Sequence, residues 1–180
     1  MGGINMSEPI IRSACVDDAE RLVEIYSYYV EKTAVSFEYT TPSVDEFRSR
    51  MEKIMKKYPY LVVESDGVIC GYAYAGSFVG RAAYDWSCEL TIYLDHECRG
   101  RGFGRLLYTE LEKRLKDMGI TNMYACIGAV EPEDEYLTNA SPRFHERMGF
   151  TLAGTFHKCG KKFGRWYDMI WMEKIINEHA

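Results

Sequence analysis

The 180-residue chain has no Cys-x-x-Cys pair and only four histidines, none of them clustered, which gives a zinc site little support. Its six cysteines, Cys15, Cys70, Cys88, Cys98, Cys126 and Cys159, are scattered and are expected to be reduced thiols. Basic charge is also scarce: 22 Lys and Arg against 27 Asp and Glu leave a net charge of -5, so there is no basic footprint for nucleic acid. No apolar run is long enough to cross a bilayer. Residues 1–9 include Met6 and lack the basic-then-apolar layout of a secretory leader. They are expected to be a disordered start, with the cytoplasm as the expected location. The rest fits one globular domain, expected over residues 10–176, because 47% hydrophobic and 27% charged residues suffice for one substantial core.

Periodicity orders the elements. Ile10 to Ser13 is a short strand, and Asp17 is placed to cap a helix whose apolar stripe is Leu22, Val23, Tyr26, Tyr29 and Val30. Thr41-Pro42-Ser43 starts a second helix, over Val44 to Lys57. Tyr60–Glu64 and Val68–Ala75 flank Ser65-Asp66-Gly67, which is hairpin chemistry. A strand from Ser87 to Leu94 leads through a glycine-rich loop to a helix over Arg105 to Met118. A strand at Asn122–Ile127, an acidic loop at Glu131–Glu135, a helix near Ser141–Met148 and a hairpin of Thr151–Lys158 with Trp166–Glu173 complete the chain. The order βααβββαβαββ predicts an α+β fold with a mixed, mostly antiparallel central sheet flanked by helices.

The loop Arg99-Gly100-Arg101-Gly102-Phe103-Gly104 lacks the Gly-Lys-Ser/Thr ending of a nucleoside triphosphate loop. Its glycine spacing is also wrong for the dinucleotide fingerprint. Small residues at a helix N-terminus still aim backbone N–H groups at open space, where they can cradle a diphosphate.

Arg-x-x-Gly-x-Gly in this strand-to-helix setting resembles the coenzyme A loop of GCN5-related N-acetyltransferases. Three further segments are similar to the phosphinothricin and methionine sulfoximine N-acetyltransferase group: Arg81-Ala82-Ala83-Tyr84-Asp85-Trp86 with Glu89 and Thr91–Leu94, Phe144–Phe150, and Lys162–Asp168. The resemblance spans residues 10 to 174 and implies acetyl-CoA as cosubstrate, no metal, a small amine as acceptor and a homodimer.

Acetyl transfer to an amine requires loss of the ammonium proton, and Glu89 is the candidate base. On an extended strand it shares a face with Thr91 and Tyr93, and burial beside Trp86 and Tyr93 would raise its pKa. Its alternative is an ordinary ion-paired carboxylate. The resemblance implies that the backbone of Ile92, Tyr93 and Leu94 lies against the acetyl-pantetheine arm and receives the oxyanion. It implies that His145 protonates the departing thiolate or holds the coenzyme, unless it simply packs in its helix. Gly100, Gly102, Phe103 and Gly104 give the loop its backbone access, whereas Arg99, Arg101 and Arg105 offer charge to phosphates. Where many relatives carry a pantetheine-binding asparagine this chain has Thr138. Either the acidic loop shifts the register so that Asn139 serves, or Thr138 and Ser141 take over the contact.

For the acceptor, the resemblance points to Phe37, Arg81, Tyr84 and Thr91. Lys158, Lys161, Lys162 and Arg165 read as a solvated hairpin tip, or as a tip completing a pocket across a dimer interface. Trp166 and Trp171 read as core or interface residues, and Cys88 and Cys126 as inert thiols in preference to acetyl carriers. The function implied is acetylation of the α-amino group of a phosphinothricin-, methionine sulfoximine- or methionine sulfone-type compound, with detoxification or resistance as the consequence. Other readings are a polyamine, aminoglycoside or protein N-terminus as acceptor, and a non-catalytic coenzyme A sensor.

Overall fold

The computed structural model describes residues 8–179; most of the start expected to be disordered, residues 1–7, lies outside them. Seven strands form one sheet in the order β1-β2-β3-β4-β5-β7-β6. They are β1 Ile10–Ser13, β2 Tyr60–Ser65, β3 Val68–Ser77, β4 Ser87–Leu94, β5 Asn122–Ala129, β6 Thr151–Lys162 and β7 Arg165–Ile175. The helices are α1 Ala19–Lys32, α2 Val44–Met55, α3 Phe103–Asp117 and α4 Ala140–Arg147. Every sheet pairing is antiparallel except β4 with β5, so the mixed, mostly antiparallel sheet and the element order agree with the sequence.

Two apolar layers cover the sheet. On one face Leu22, Tyr26, Tyr29 and Val30 of α1, with Phe47 and Met51 of α2, pack on Tyr60, Val62 and Tyr72. On the other, Leu107, Leu111 and Leu115 of α3 pack on Leu61, Ala73, Leu90 and Met123, joined by Phe144 of α4. Those three leucines are fully buried, and each contributes about 1.5–3 kcal/mol. The β4 side chains alternate between the layers: Leu90, Ile92 and Leu94 join the α3 layer, while Tyr93 joins the other.

Several local details depart from expectation. The residue at the N-cap of α1 is Asp18, not Asp17, and its side chain caps no helical N–H. Its carboxylate instead grips both terminal nitrogens of Arg12 at 2.8 Å and accepts from the Cys15 N–H, while Arg12 also reaches Glu64. That fork holds the Asp18 carboxyl below the usual carboxylate range and ties β1, β2 and α1 together. Ser43 does cap α2, accepting from the Glu46 N–H. The last hairpin is longer than expected and turns through Phe163 and Gly164 alone, both at positive φ. Phe163 is held there by stacking on Tyr136, 4.2 Å between ring centroids. No helix among the described residues is long and apolar enough to cross a membrane.

Candidate active site

The parallel pairing of β4 with β5 covers only Ser87–Leu90 against Asn122–Ala125. Beyond it Thr91–Leu94 and Cys126–Ala129 separate, leaving backbone with no strand partner on that side. A cavity of about 180 Å³ fills the wedge, reaching both faces of the sheet. Its walls include Glu89, Thr91, Ile92, Tyr93, Cys126 and His145. Among its further lining residues are Tyr108, Gly128 and Ser141.

Glu89 is half-buried and faces the wedge, and desolvation alone raises its pKa above the ordinary carboxylate value. Of the expected cover, Trp86 is 63% exposed, whereas Tyr93 packs into the α1–α2 layer.

His145 is 2% exposed, and burial lowers its pKa, so the ring is neutral at physiological pH. Its Nδ1 lies 2.8 Å from the Ser141 carbonyl, which can only accept. The ring proton is therefore on Nδ1, and Nε2 accepts from the Tyr108 hydroxyl at 2.9 Å. His145 thus has no proton aimed into the wedge, and direct donation to a thiolate does not match this geometry. Tyr108 is the residue the sequence reading missed. A polar tip among the buried leucines of α3 was its signal, since a buried hydroxyl requires a partner.

The glycine loop precedes α3. Gly102 sits at its N-cap with φ of 81°, Gly100 has φ of 77°, and the first turn carries no acidic side chain. The Phe103 and Gly104 N–H groups precede the helix's own hydrogen bonds and are offered to an anion. Gly104 differs from expectation: a Cβ there would lie 3.2 Å from the Phe144 ring, so it serves α3–α4 packing, not backbone access alone. The three arginines also divide. Arg101 donates to Ser65 Oγ at 2.9 Å and lies over Phe103. Arg99 leans over Tyr28 and Tyr29 at 5.5 and 5.2 Å, and Arg105 lines a basic groove along α3 with Arg147 and Lys174.

Of Thr138, Asn139 and Ser141, only Ser141 lines the wedge, and of Ile92, Tyr93 and Leu94 the first two line it. Asn139 donates its side-chain amide to the Val130 carbonyl, and Thr138 is exposed and outside the cavity. Among the acceptor candidates Thr91 lines the wedge, and Phe37 stands behind it, 3.7 Å from a Cβ built on Gly128. Arg81 and Tyr84 are exposed on the segment before β4, and neither lines the wedge.

The hairpin tip is not simply solvated. Lys162 is 4% exposed and donates to the Ser36 carbonyl at 2.6 Å, Tyr39 donates to the Lys161 carbonyl, and Gly160 packs directly on the Phe37 ring. Burial lowers the Lys162 pKa. Arg165 pairs with Asp134 and Glu135 of the acidic loop. Trp171 stands at a right angle to Phe78, whereas Trp166 is 56% exposed. Burial pushes the Cys88 thiol up to about 12, and Cys126, though partly exposed, up to about 11; both are poor thiolates. No group of three or more His, Cys, Asp or Glu that could hold a metal occurs among the described residues.

Residues 11–171 match the family described as the acetyltransferase (GNAT) domain. The chain is 36% identical to phosphinothricin N-acetyltransferase of Streptomyces viridochromogenes over 88% of its own length and 83% of the relative's. It is 30% identical to the L-methionine sulfoximine/L-methionine sulfone acetyltransferase of Salmonella typhimurium, covering 94% of this chain and 96% of that one. A phosphinothricin acetyltransferase from Sinorhizobium meliloti, solved in complex with acetyl-CoA, superposes with a TM-score of 0.86 at 35% identity, covering 93% of this chain and 88% of the other. With its sheet parted between β4 and β5 and an uncapped helix N-terminus beside the gap, the chain belongs to the GNAT family and is an acetyl-CoA-dependent N-acetyltransferase.

Proposed function

We propose that the acceptor is the α-amine of a small amino-acid-like compound of the phosphinothricin, methionine sulfoximine or methionine sulfone type, acetylated by direct attack in a ternary complex. The observation that carries this reading is the half-buried carboxylate of Glu89 at the edge of the wedge, with a raised pKa and no ion-pair partner among the described residues. A carboxylate made more basic by burial is better matched to an ammonium proton, which it takes directly or through water. The amine lone pair then attacks the thioester carbon, forming the C–N bond. The unpaired backbone at Ile92–Leu94 receives the oxyanion, and the C–S bond breaks. The His145 proton points at Ser141 and the Tyr108 hydroxyl proton at His145, so the thiolate takes its proton from the attacking nitrogen, which sheds it as the amide forms, while the His145–Tyr108 pair fixes that wall of the wedge. The diphosphate rests on Gly100–Gly104, with Arg99 and Arg105 as its charged flanks and Ser141 beside the pantetheine.

Two observations weigh against a polycationic acceptor. Glu133 and Asp134 are already engaged by Arg143 and Arg165, and Glu135 also faces Arg165, so the acidic loop offers little free negative charge. With acetyl-CoA and a panel of amino acids, methionine sulfone, methionine sulfoximine, phosphinothricin, polyamines and aminoglycosides, acetylated product detected by mass should appear with amino-acid-like compounds. Product from polyamines or aminoglycosides alone would overturn the acceptor, and tight acetyl-CoA binding with no product from any amine would favour the sensor.

The reading extends to a homodimer in the cytoplasm with a detoxifying role. Support for the dimer comes from edge strand β6 and the start of β7, where Leu152, Phe156 and Trp166 are 60%, 54% and 56% exposed. Light scattering after gel filtration should give twice the monomer mass; a monomeric mass at micromolar concentration overturns the dimer.

A further inference from the structure

A second cavity, of about 150 Å³, lies under α2 on the α1–α2 face of the sheet. It shares Thr91 and Tyr93 with the wedge, so the two spaces lie on either side of one wall on the face of β4 that carries Glu89. The glycine loop and α3 approach the wedge from the opposite layer, which leaves this cavity to the acceptor. Its volume is well below the ~300–1,000 Å³ of drug-sized sites, so it takes a short side chain.

The lining has an unusual chemistry. Tyr60, Tyr72 and Tyr74 form a stacked wall, with ring centroids 4.6 Å apart for Tyr60 and Tyr74 and 5.9 Å for Tyr60 and Tyr72. Tyr60 and Tyr72 are 3% and 1% exposed. Among the described residues neither hydroxyl makes a hydrogen bond. Among the described residues Tyr58 has the one buried side-chain polar atom sealed from solvent without a partner, so the Tyr60 and Tyr72 oxygens open onto the cavity. Leaving a buried hydroxyl unpaired costs about 1–3 kcal/mol, and these two are donors awaiting an acceptor.

Charge narrows the ligand further. The cation in the lining is Arg50, and it is held by Glu38 at 2.6 Å and by Glu46. Glu38 also lines the cavity, so no uncompensated positive charge faces an incoming anion.

Resting on the acceptor reading above, we infer that this cavity selects the acceptor's side chain, and that it takes an uncharged group with strong acceptor oxygens, such as a sulfonyl, bonded by the Tyr60 and Tyr72 hydroxyls. An anionic phosphinate finds the donors but no free cation. An apolar side chain leaves both hydroxyls unsatisfied, the situation in which a polar site rejects an analogue lacking the matching group.

The test compares kcat/KM for methionine sulfone, norleucine and phosphinothricin in the full-length enzyme and in Tyr60→Phe, Tyr72→Phe and the double variant. The wild type should prefer methionine sulfone over both competitors. Each substitution should cut kcat/KM for the sulfone about tenfold, mainly through KM, with norleucine unchanged or improved and acetyl-CoA binding intact. Thermal midpoints near that of the wild type show that the variants fold, and calorimetric titration of methionine sulfone in the presence of coenzyme A gives a readout independent of turnover. Sulfone-to-norleucine ratios unmoved by the substitutions, or phosphinothricin as the better substrate, overturn the inference while leaving the acceptor class in place. Absence of both acetylation and binding for every amino-acid-like compound sinks the acceptor class as well.

Discussion

Glu89→Gln should lower kcat by about 10²–10⁴-fold while acetyl-CoA binding stays unchanged, because the amide keeps the shape of the carboxylate and loses its basicity. Rapid-quench measurement of acetylated product, alongside calorimetric titration with acetyl-CoA, separates the two effects. A kcat within a few-fold of wild type would remove Glu89 from the reaction. The pH profile adds a second signature. Burial raises the Glu89 pKa above that of an ordinary carboxylate, so the acid limb of kcat/KM should lie above the usual carboxylate range and vanish in the variant. Stability should move in the opposite direction from activity. A folded-state pKa above the unfolded one means that the stability from Glu89 is fully present below the unfolded pKa and is lost as pH rises through the folded pKa. The melting-temperature advantage of Glu89→Gln over wild type should therefore be larger near about pH 8 than near about pH 4.

Gly71→Ala should be the most damaging small substitution in the sheet. A Cβ on Gly71 would sit 2.5 Å from Leu94 Cδ2, 2.9 Å from the Tyr93 carbonyl oxygen and 3.2 Å from the Leu94 Cα. Two of those neighbours are backbone, so β4 itself has to shift. Overpacking of this kind costs about 1–3 kcal/mol. Because Tyr93 lines the wedge, the same displacement should weaken acetyl-CoA binding. The Tyr29 hydroxyl, which donates to the Leu94 carbonyl, is strained by the same shift. Denaturant unfolding and acetyl-CoA titration of the one variant report both effects. Wild-type values in each would show that β3 and β4 can separate freely at this point.

Much of the fold was legible because it rests on local rules. The α1 stripe of Leu22, Val23, Tyr26, Tyr29 and Val30 is buried as its spacing required, and Asp66-Gly67 makes the hairpin its positive φ values call for. Strand alternation also placed Glu89 with Thr91 and Tyr93 correctly. What failed depended on contacts distant in sequence. Trp86 looks like a cover for Glu89 from three residues away, yet its indole is 63% exposed. Lys162 reads as solvated beside Lys161 and Arg165, but a carbonyl 126 positions away takes its ammonium group. The tautomer of His145 could not be read at all, because it is set by a main-chain oxygen on one side and by Tyr108 of another helix on the other.

The parting of β4 and β5 after four paired residues leaves the sheet as two half-sheets fastened at one end, like tongs. Within a continuous sheet each strand braces the next. Here β1–β4 and β5–β7 have no such brace along Thr91–Leu94, and an extended chain lying in the gap would supply it. With acetyl-CoA placed in the gap as proposed, the stiffness of the loaded enzyme would come in part from its cosubstrate, since any ligand that binds only the folded chain raises its resistance to unfolding as its concentration rises. On that placement, release of the spent carrier would also loosen the sheet, once per catalytic cycle.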